Sequence, residues 1–223
     1  MFRVKICGIT NVEDANVAVE AGAEAIGLNF YAKSPRCVSV EVAREISNRV
    51  GASAKCVAVV VNKPAADVLE IAGRTRLLCV QLHGDEPASS VAAIPDALDV
   101  IRARRMDSDG VAAIAADIEA CRRAGRGPSA LLIDAMTPGC YGGTGKTVSW
   151  VGLADHDRWL RGTPLILAGG LTPDNVAKAI RIVRPAAVDV ASGVESAPGK
   201  KDPAKVRDFV ANAMGAFASL RAT

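Results

Sequence analysis

The feature that most constrains this chain is a regular alternation. Eight short runs rich in aliphatic and β-branched residues fall at 3–9, 25–30, 55–62, 77–83, 98–102, 130–135, 164–168 and 187–191. Eight stretches with helical patterning follow them, at 12–21, 40–50, 65–75, 88–94, 110–124, 150–160, 173–183 and 203–220. Strands that alternate with helices in this way pair in parallel, each helix carrying the chain back across the sheet. Eight units within 223 residues predict a (β/α)8 TIM barrel of the α/β class, with 1–223 forming a single domain. A doubly wound open sheet alternates too. Its glycine-rich turn is missing after the first run, where Cys7-Gly8-Ile9-Thr10 stands in place of GxGxxG. Pro64 and Pro173 sit where a first helical turn tolerates proline, and Thr172 is placed to cap the helix at 173.

Composition narrows the function classes. Half of the residues are hydrophobic, supplied mainly by small aliphatic side chains, which suits layered strands and helices. A chain of this length buries enough surface to fold without disulfide or metal staples. The 27 basic and 24 acidic residues leave a net charge of only +3, so nucleic acid is not expected as a partner. The small basic clusters, Arg102 with Arg104 and Arg105, Arg122 with Arg123, and Lys200 with Lys201, read as solvated surface. No apolar run approaches the length of a membrane span, and the N-terminus lacks the apolar region of a signal peptide, so no membrane partner is expected. Six cysteines without a CxxC pair point to a reducing cytoplasm, with Cys56 and Cys79 as buried thiols. Two histidines 73 residues apart give no metal-ligand spacing.

Function in such a barrel gathers at the C-terminal ends of the strands. The polar residues ending the apolar runs are Lys5 and Cys7, Gln81 and His83, Asp134, and Asp189 followed by Ser192. Lys5/Cys7 and Gln81/His83 are spaced by two, so each pair shares a strand face. With Cys7 and His83 in the barrel mouth, Lys5 and Gln81 lie one layer below. Glycine-rich segments follow the last two strands, as Ala168-Gly169-Gly170-Leu171 and Ala191-Ser192-Gly193-Val194. Barrels often hold phosphate with these two loops, whose glycines let backbone N–H groups approach an anion. A phosphorylated small-molecule ligand is therefore expected. The segment Gly142-Gly143-Thr144-Gly145-Lys146-Thr147 is not a P-loop, because that motif needs glycine where Cys140 stands. It reads as a loop after strand 6 that covers the site.

These segments lie in order along almost the whole chain. Lys5-Ile6-Cys7-Gly8-Ile9-Thr10, Lys33-Ser34-Pro35-Arg36, Val80-Gln81-Leu82-His83-Gly84-Asp85-Glu86, Gly142-Gly143-Thr144-Gly145-Lys146, Leu167-Ala168-Gly169-Gly170-Leu171-Thr172-Pro173-Asp174-Asn175-Val176 and Asp189-Val190-Ala191-Ser192-Gly193-Val194-Glu195 resemble phosphoribosylanthranilate isomerase of tryptophan biosynthesis. Cys37 departs from the pattern, standing where that family usually has an aromatic residue, and 150–162 carries no motif.

The resemblance implies an Amadori rearrangement of N-(5-phosphoribosyl)anthranilate to the 1-amino-1-deoxyketose. It implies Cys7 as general base and Asp134 as general acid. Arg36 would hold the anthranilate carboxylate, a planar fork meeting a carboxylate in two bonds. Gly169, Gly170, Ser192 and Gly193 would hold the phosphate, with Lys5, Gln81, His83 and Asp189 lining the site. Such proton transfers require no redox cofactor. A thiol base needs a depressed pKa, which Lys5 is placed to provide, and a carboxylic acid needs a raised one, for which Asp189 is a candidate neighbour. A related isomerase of histidine biosynthesis performs the same rearrangement with aspartate at the strand-1 position, where this chain has Cys7. A catalytically silent barrel is the alternative outside enzymes, and the presence of both Cys7 and Asp134 argues against it. Oligomeric state is left open.

Overall fold

The computed structural model describes residues 1–106, 110–134 and 150–221. Eight parallel strands close into a barrel in sequence order. They are β1 (Val4–Cys7), β2 (Ala25–Asn29), β3 (Lys55–Val60), β4 (Cys79–Leu82), β5 (Asp99–Arg105), β6 (Ala130–Asp134), β7 (Leu165–Ala168) and β8 (Ala187–Val190). Pairing of β1 with β8, Lys5 opposite Asp189, closes the ring. The outer layer is α1 (Val12–Glu20), α2 (Val40–Val50), α3 (Ala65–Thr75), α4 (Ser89–Ala92), α5 (Gly110–Arg123), α6 (His156–Leu160), α7 (Val176–Val183) and α8 (Pro203–Arg221). A small antiparallel hairpin, β9 (Glu195–Ala197) and β10 (Lys200–Lys201), follows β8.

Two apolar cores follow from the period of two along each strand. Val4, Ile6, Ile26, Leu28, Val80, Leu82, Leu131, Ile133, Leu165 and Leu167 face outward and pack with the helices. Ala25, Val57, Cys79, Ile101, Ala130, Leu132, Ile166 and Ala187 face inward and fill the lumen with smaller side chains. The next inward positions toward the strand ends are Lys5, Cys7, Gln81, Asp134 and Asp189. The lumen is therefore apolar below and polar above.

Local signals set the helix starts. Asn11 caps α1 by accepting from the Asp14 N–H, and Ser39 caps α2 through Val42. Asp202 Oδ1 accepts from the N–H groups of Ala204 and Lys205 just ahead of α8, with Pro203 at the first helical position. Thr172 does not cap α7. Its own N–H donates to Asn175 Oδ1, and the helix begins three residues after Pro173, at Val176. The stretch 150–160 forms a 3-10 turn, Trp150–Leu153, and the short α6 rather than one helix. Cys79 is buried as expected, while Cys56 is only half-buried.

Two basic clusters depart from the surface reading. β5 runs on through Arg105, and its even positions face the helices. Arg102 is fully buried there, with Nε 2.5 Å and Nη2 2.8 Å from the Asp117 carboxylate of α5. Arg104 shares that carboxylate and donates to the carbonyls of Gly84 and Glu86. Lys201 is likewise buried, 2.9 Å from Glu195. Removing the partner of a buried charge strands it without solvation. Asp117→Ala is expected to cost about 3 kcal/mol on that ground, measured as a lower urea midpoint at unchanged slope.

Candidate active site

Lys5 lies at the centre of the polar end of the lumen. Its ammonium is fully buried and donates to Asp189 Oδ1 at 2.8 Å and to Gln81 Oε1 at 2.9 Å. Barrel closure makes these contacts, since the partners are 184 and 76 residues away in the chain. Burial opposes the Lys5 charge, but Asp189 and Cys7 outweigh it, and the net shift is upward. Lys5 is thus a permanent cation beneath the site.

Cys7 ends β1 one layer above, buried, with the Lys5 charge acting on its thiol. Space for it comes from the neighbouring strand. Gly27 is its register partner on β2, and a Cβ there would sit 2.7 Å from the Cys7 sulfur and 3.2 Å from Lys5 Cε. Gly27 is a site residue that motif reading passed over; a glycine within a buried strand was the available signal. The expected depression of the Cys7 pKa is not what the structure gives. Burial is the largest influence and pushes the thiol up; Lys5 and Lys201 pull it down, Asp189 opposes them, and the balance remains upward.

Gln81 and His83 lie together on β4 and the loop beyond it. Gln81 is fully buried, and its Nε2 is 2.5 Å from His83 Nδ1. Burial lowers the His83 pKa; of the charges acting on it, Asp134 on β6 opposes this most strongly. Asp134 ends β6, half-buried, at the level of Arg105 on β5 and Ala168 on β7. Asp189 is engaged by Lys5 rather than standing as a bare carboxylate beside Asp134.

The loops after β7 and β8 meet at glycines. Gly169 and Gly170 both have left-handed backbones, φ 84° and 64°. Asn175 pins this loop, donating to the Gly170 carbonyl at 2.9 Å while accepting from Thr172. Gly193 lies in the 3-10 turn Ser192–Val194, against the Leu171 carbonyl, where a Cβ would clash. Neither the Gly170 nor the Ser192 N–H meets a backbone carbonyl among the described residues. The segment 142–147 lies outside the described residues.

The sequence matches the family model described as N-(5'phosphoribosyl)anthranilate (PRA) isomerase over residues 4–212. The chain belongs to this family. An N-(5'-phosphoribosyl)anthranilate isomerase of Geobacter sulfurreducens is 47% identical over 215 residues, covering 96% of this chain and all of that protein. The crystal structure of phosphoribosyl anthranilate isomerase from Thermotoga maritima is similar at a TM-score of 0.86 and 42% identity, covering 96% of this chain and all of that one. A structure of a phosphoribosyl anthranilate isomerase in complex with reduced 1-(o-carboxyphenylamino)-1-deoxyribulose 5-phosphate is similar at a TM-score of 0.82 and 39% identity, with the same coverage.

In this isomerase-family chain Arg36 reaches the site from the loop after β2. Its aliphatic stem lies against Gly8, whose backbone is left-handed (φ 74°), directly after Cys7. Its guanidinium forms a two-pronged pair with Glu195, Nε to Oε1 at 2.8 Å and Nη2 to Oε2 at 2.6 Å. Glu195 also accepts from Lys201 and is held ionised: burial would raise its pKa, but Arg36 and Lys201 lower it. Glu195 and Lys201 were not among the expected site residues. Glu195 closes the last motif quoted above, but its partners lie on another loop and on the hairpin. A guanidinium has two forks; Glu195 takes the Nε/Nη2 edge, and the Nη1/Nη2 edge meets no carboxylate among the described residues. Glu195→Gln, which accepts through one oxygen only, is therefore expected to raise the KM for a carboxylate-bearing substrate about tenfold, with kcat little changed.

Proposed function

We propose that this chain converts N-(5'-phosphoribosyl)anthranilate to 1-(2-carboxyphenylamino)-1-deoxyribulose 5-phosphate, a step of tryptophan biosynthesis. The observation that carries the reading is the Cys7 thiol beside a buried lysine, both packed against Gly27, in the same polar lumen as Asp134, in a chain matched by the family over 4–212. Asp134 donates a proton to the furanose ring oxygen; the C1′–O bond breaks and the anthranilate nitrogen takes up the positive charge as an iminium. The Cys7 thiolate removes the C2′ proton, and the electron pair neutralises the iminium to an enolamine. Tautomerisation then yields the aminoketose. Lys5 stabilises the thiolate as charge forms on sulfur.

Arg36 orients the anthranilate carboxylate through its remaining fork. The backbone N–H groups around Gly169, Gly170, Ser192 and Gly193 receive the phosphate, where an anion gains most from close, unhindered donors. Both anchors act on the ends of the substrate, so that binding energy fixes the ribose between base and acid. One barrel domain carries the whole site. A cytoplasmic location belongs to the same reading, supported by five cysteines free of disulfides among the described residues.

Steady-state turnover of N-(5'-phosphoribosyl)anthranilate by the purified chain tests this. Conversion to the aminoketose is expected. No turnover of this substrate, with turnover of the histidine-pathway aminoaldose instead, would sink the reading.

A further inference from the structure

His83 lies beside the proposed acid, and its protonation pattern can be read from hydrogen-bond arithmetic alone. Lys5 Nζ has three donors and no acceptor. The Gln81 atom 2.9 Å from it must therefore be the carbonyl oxygen, Oε1. The reversed amide would set an NH2 group against an ammonium in a site where both side chains are fully buried. The other end of Gln81 is then the amide nitrogen, which only donates. It lies 2.5 Å from His83 Nδ1, so Nδ1 must offer a lone pair. An imidazole that accepts at Nδ1 is neutral and carries its proton on Nε2.

We infer that Lys5, acting through Gln81, locks His83 as the neutral Nε2–H tautomer, making it a positioning residue that offers one fixed donor and never exchanges a proton during turnover. The inference rests on the reading of this lumen as the isomerase site. The charges that act on His83 are Asp134 and Asp189, which favour its protonation, and Lys5 and Arg105, which oppose it. Burial acts with the cations, and the balance lies on the neutral side. The ring edge left over from Gln81 is the protonated one. It is a donor only, and so does not compete with Asp134 as an acid. Lys5 then has two duties, supporting the Cys7 thiolate on one side and setting the polarity of His83 on the other.

Nitrogen-15 NMR of the imidazole-labelled full chain tests the lock and needs no turnover. The chain has two histidines, and either His156→Gln or His83→Gln leaves one set of signals, which assigns both. The expected signature for His83 is an unprotonated Nδ1 and a protonated Nε2, unchanged through the ordinary histidine range. An Nδ1–H tautomer, or a His83 that titrates in that range, overturns the inference. Gln81→Glu keeps a partner for Lys5 but replaces the donor with an acceptor. It is expected to bring a proton onto Nδ1 and, by taking away the fixed Nε2–H donor, to lower kcat about tenfold or more. A Gln81 with a packing role only would leave the His83 signature unchanged in that variant, and this result also overturns the lock. Failure of the substrate assay with the NMR signature intact would remove the proposed reaction and leave the tautomer assignment standing.

Discussion

Replacing Cys7 with serine is expected to lower kcat by about 10²–10⁴-fold, the usual contribution of a positioned general base. Serine has nearly the same size, so Gly27 and Lys5 still fit around it. Its hydroxyl is a far weaker acid than a thiol, however, and Lys5 alone does not supply the difference. The pH dependence has a definite sign. The thiolate is the active form, and burial of Cys7 disfavours it, so its pKa lies above the ordinary thiol value. The rate at which Cys7 reacts with a thiol-alkylating reagent, which reads the thiolate fraction, then rises with pH through the alkaline range. Lys5→Met removes the cation that pulls the thiol down and is expected to move this limb higher still. A Cys7→Ser variant with near-normal kcat would remove Cys7 from its role.

Asp134→Asn is expected to produce a loss of similar size, about 10²–10⁴-fold in kcat, with KM changed much less. An amide has the shape and hydrogen-bonding reach of the carboxyl group but no proton to give to the ring oxygen. Because Asp134 ends β6 and is held in register with Arg105 and Ala168, its backbone position does not depend on the side chain. Single-turnover measurement separates the chemical step from binding. A variant that binds substrate normally and opens the ring at the original rate would place the acid elsewhere.

The two departures among the basic residues show what a linear reading misses. Arg102, Arg104 and Arg105 look like a charged surface run because three of four neighbours are arginine. Arg102 is buried because β5 continues through it, and its partner Asp117 comes from the next helix. Lys201 follows an exposed Lys200, yet the hairpin turns it inward to Glu195, and its backbone N–H meets Asp14 of α1. Glu195 was visible as the end of a motif, but its hold on Arg36 joins residues 159 apart. Gly27 carried no motif, and only the closeness of β1 and β2 shows why it has no side chain.

By itself the sequence determined the alternation of strands and helices, the barrel they form, and which polar groups stand at the strand ends. These are local properties: a period of two places Lys5 with Cys7 and Gln81 with His83 on one face each, whatever the rest of the chain does. It also carried the motifs by which the family is known. Tertiary structure alone decided how those groups act on one another. Closing β8 onto β1 sets Asp189 against Lys5, and the position of Lys5 orders Gln81 and, through it, His83. It also reversed the expected direction of the Cys7 shift, because burial and Coulomb interaction depend on neighbours distant in the chain, and here the loss of water outweighs the nearby cations.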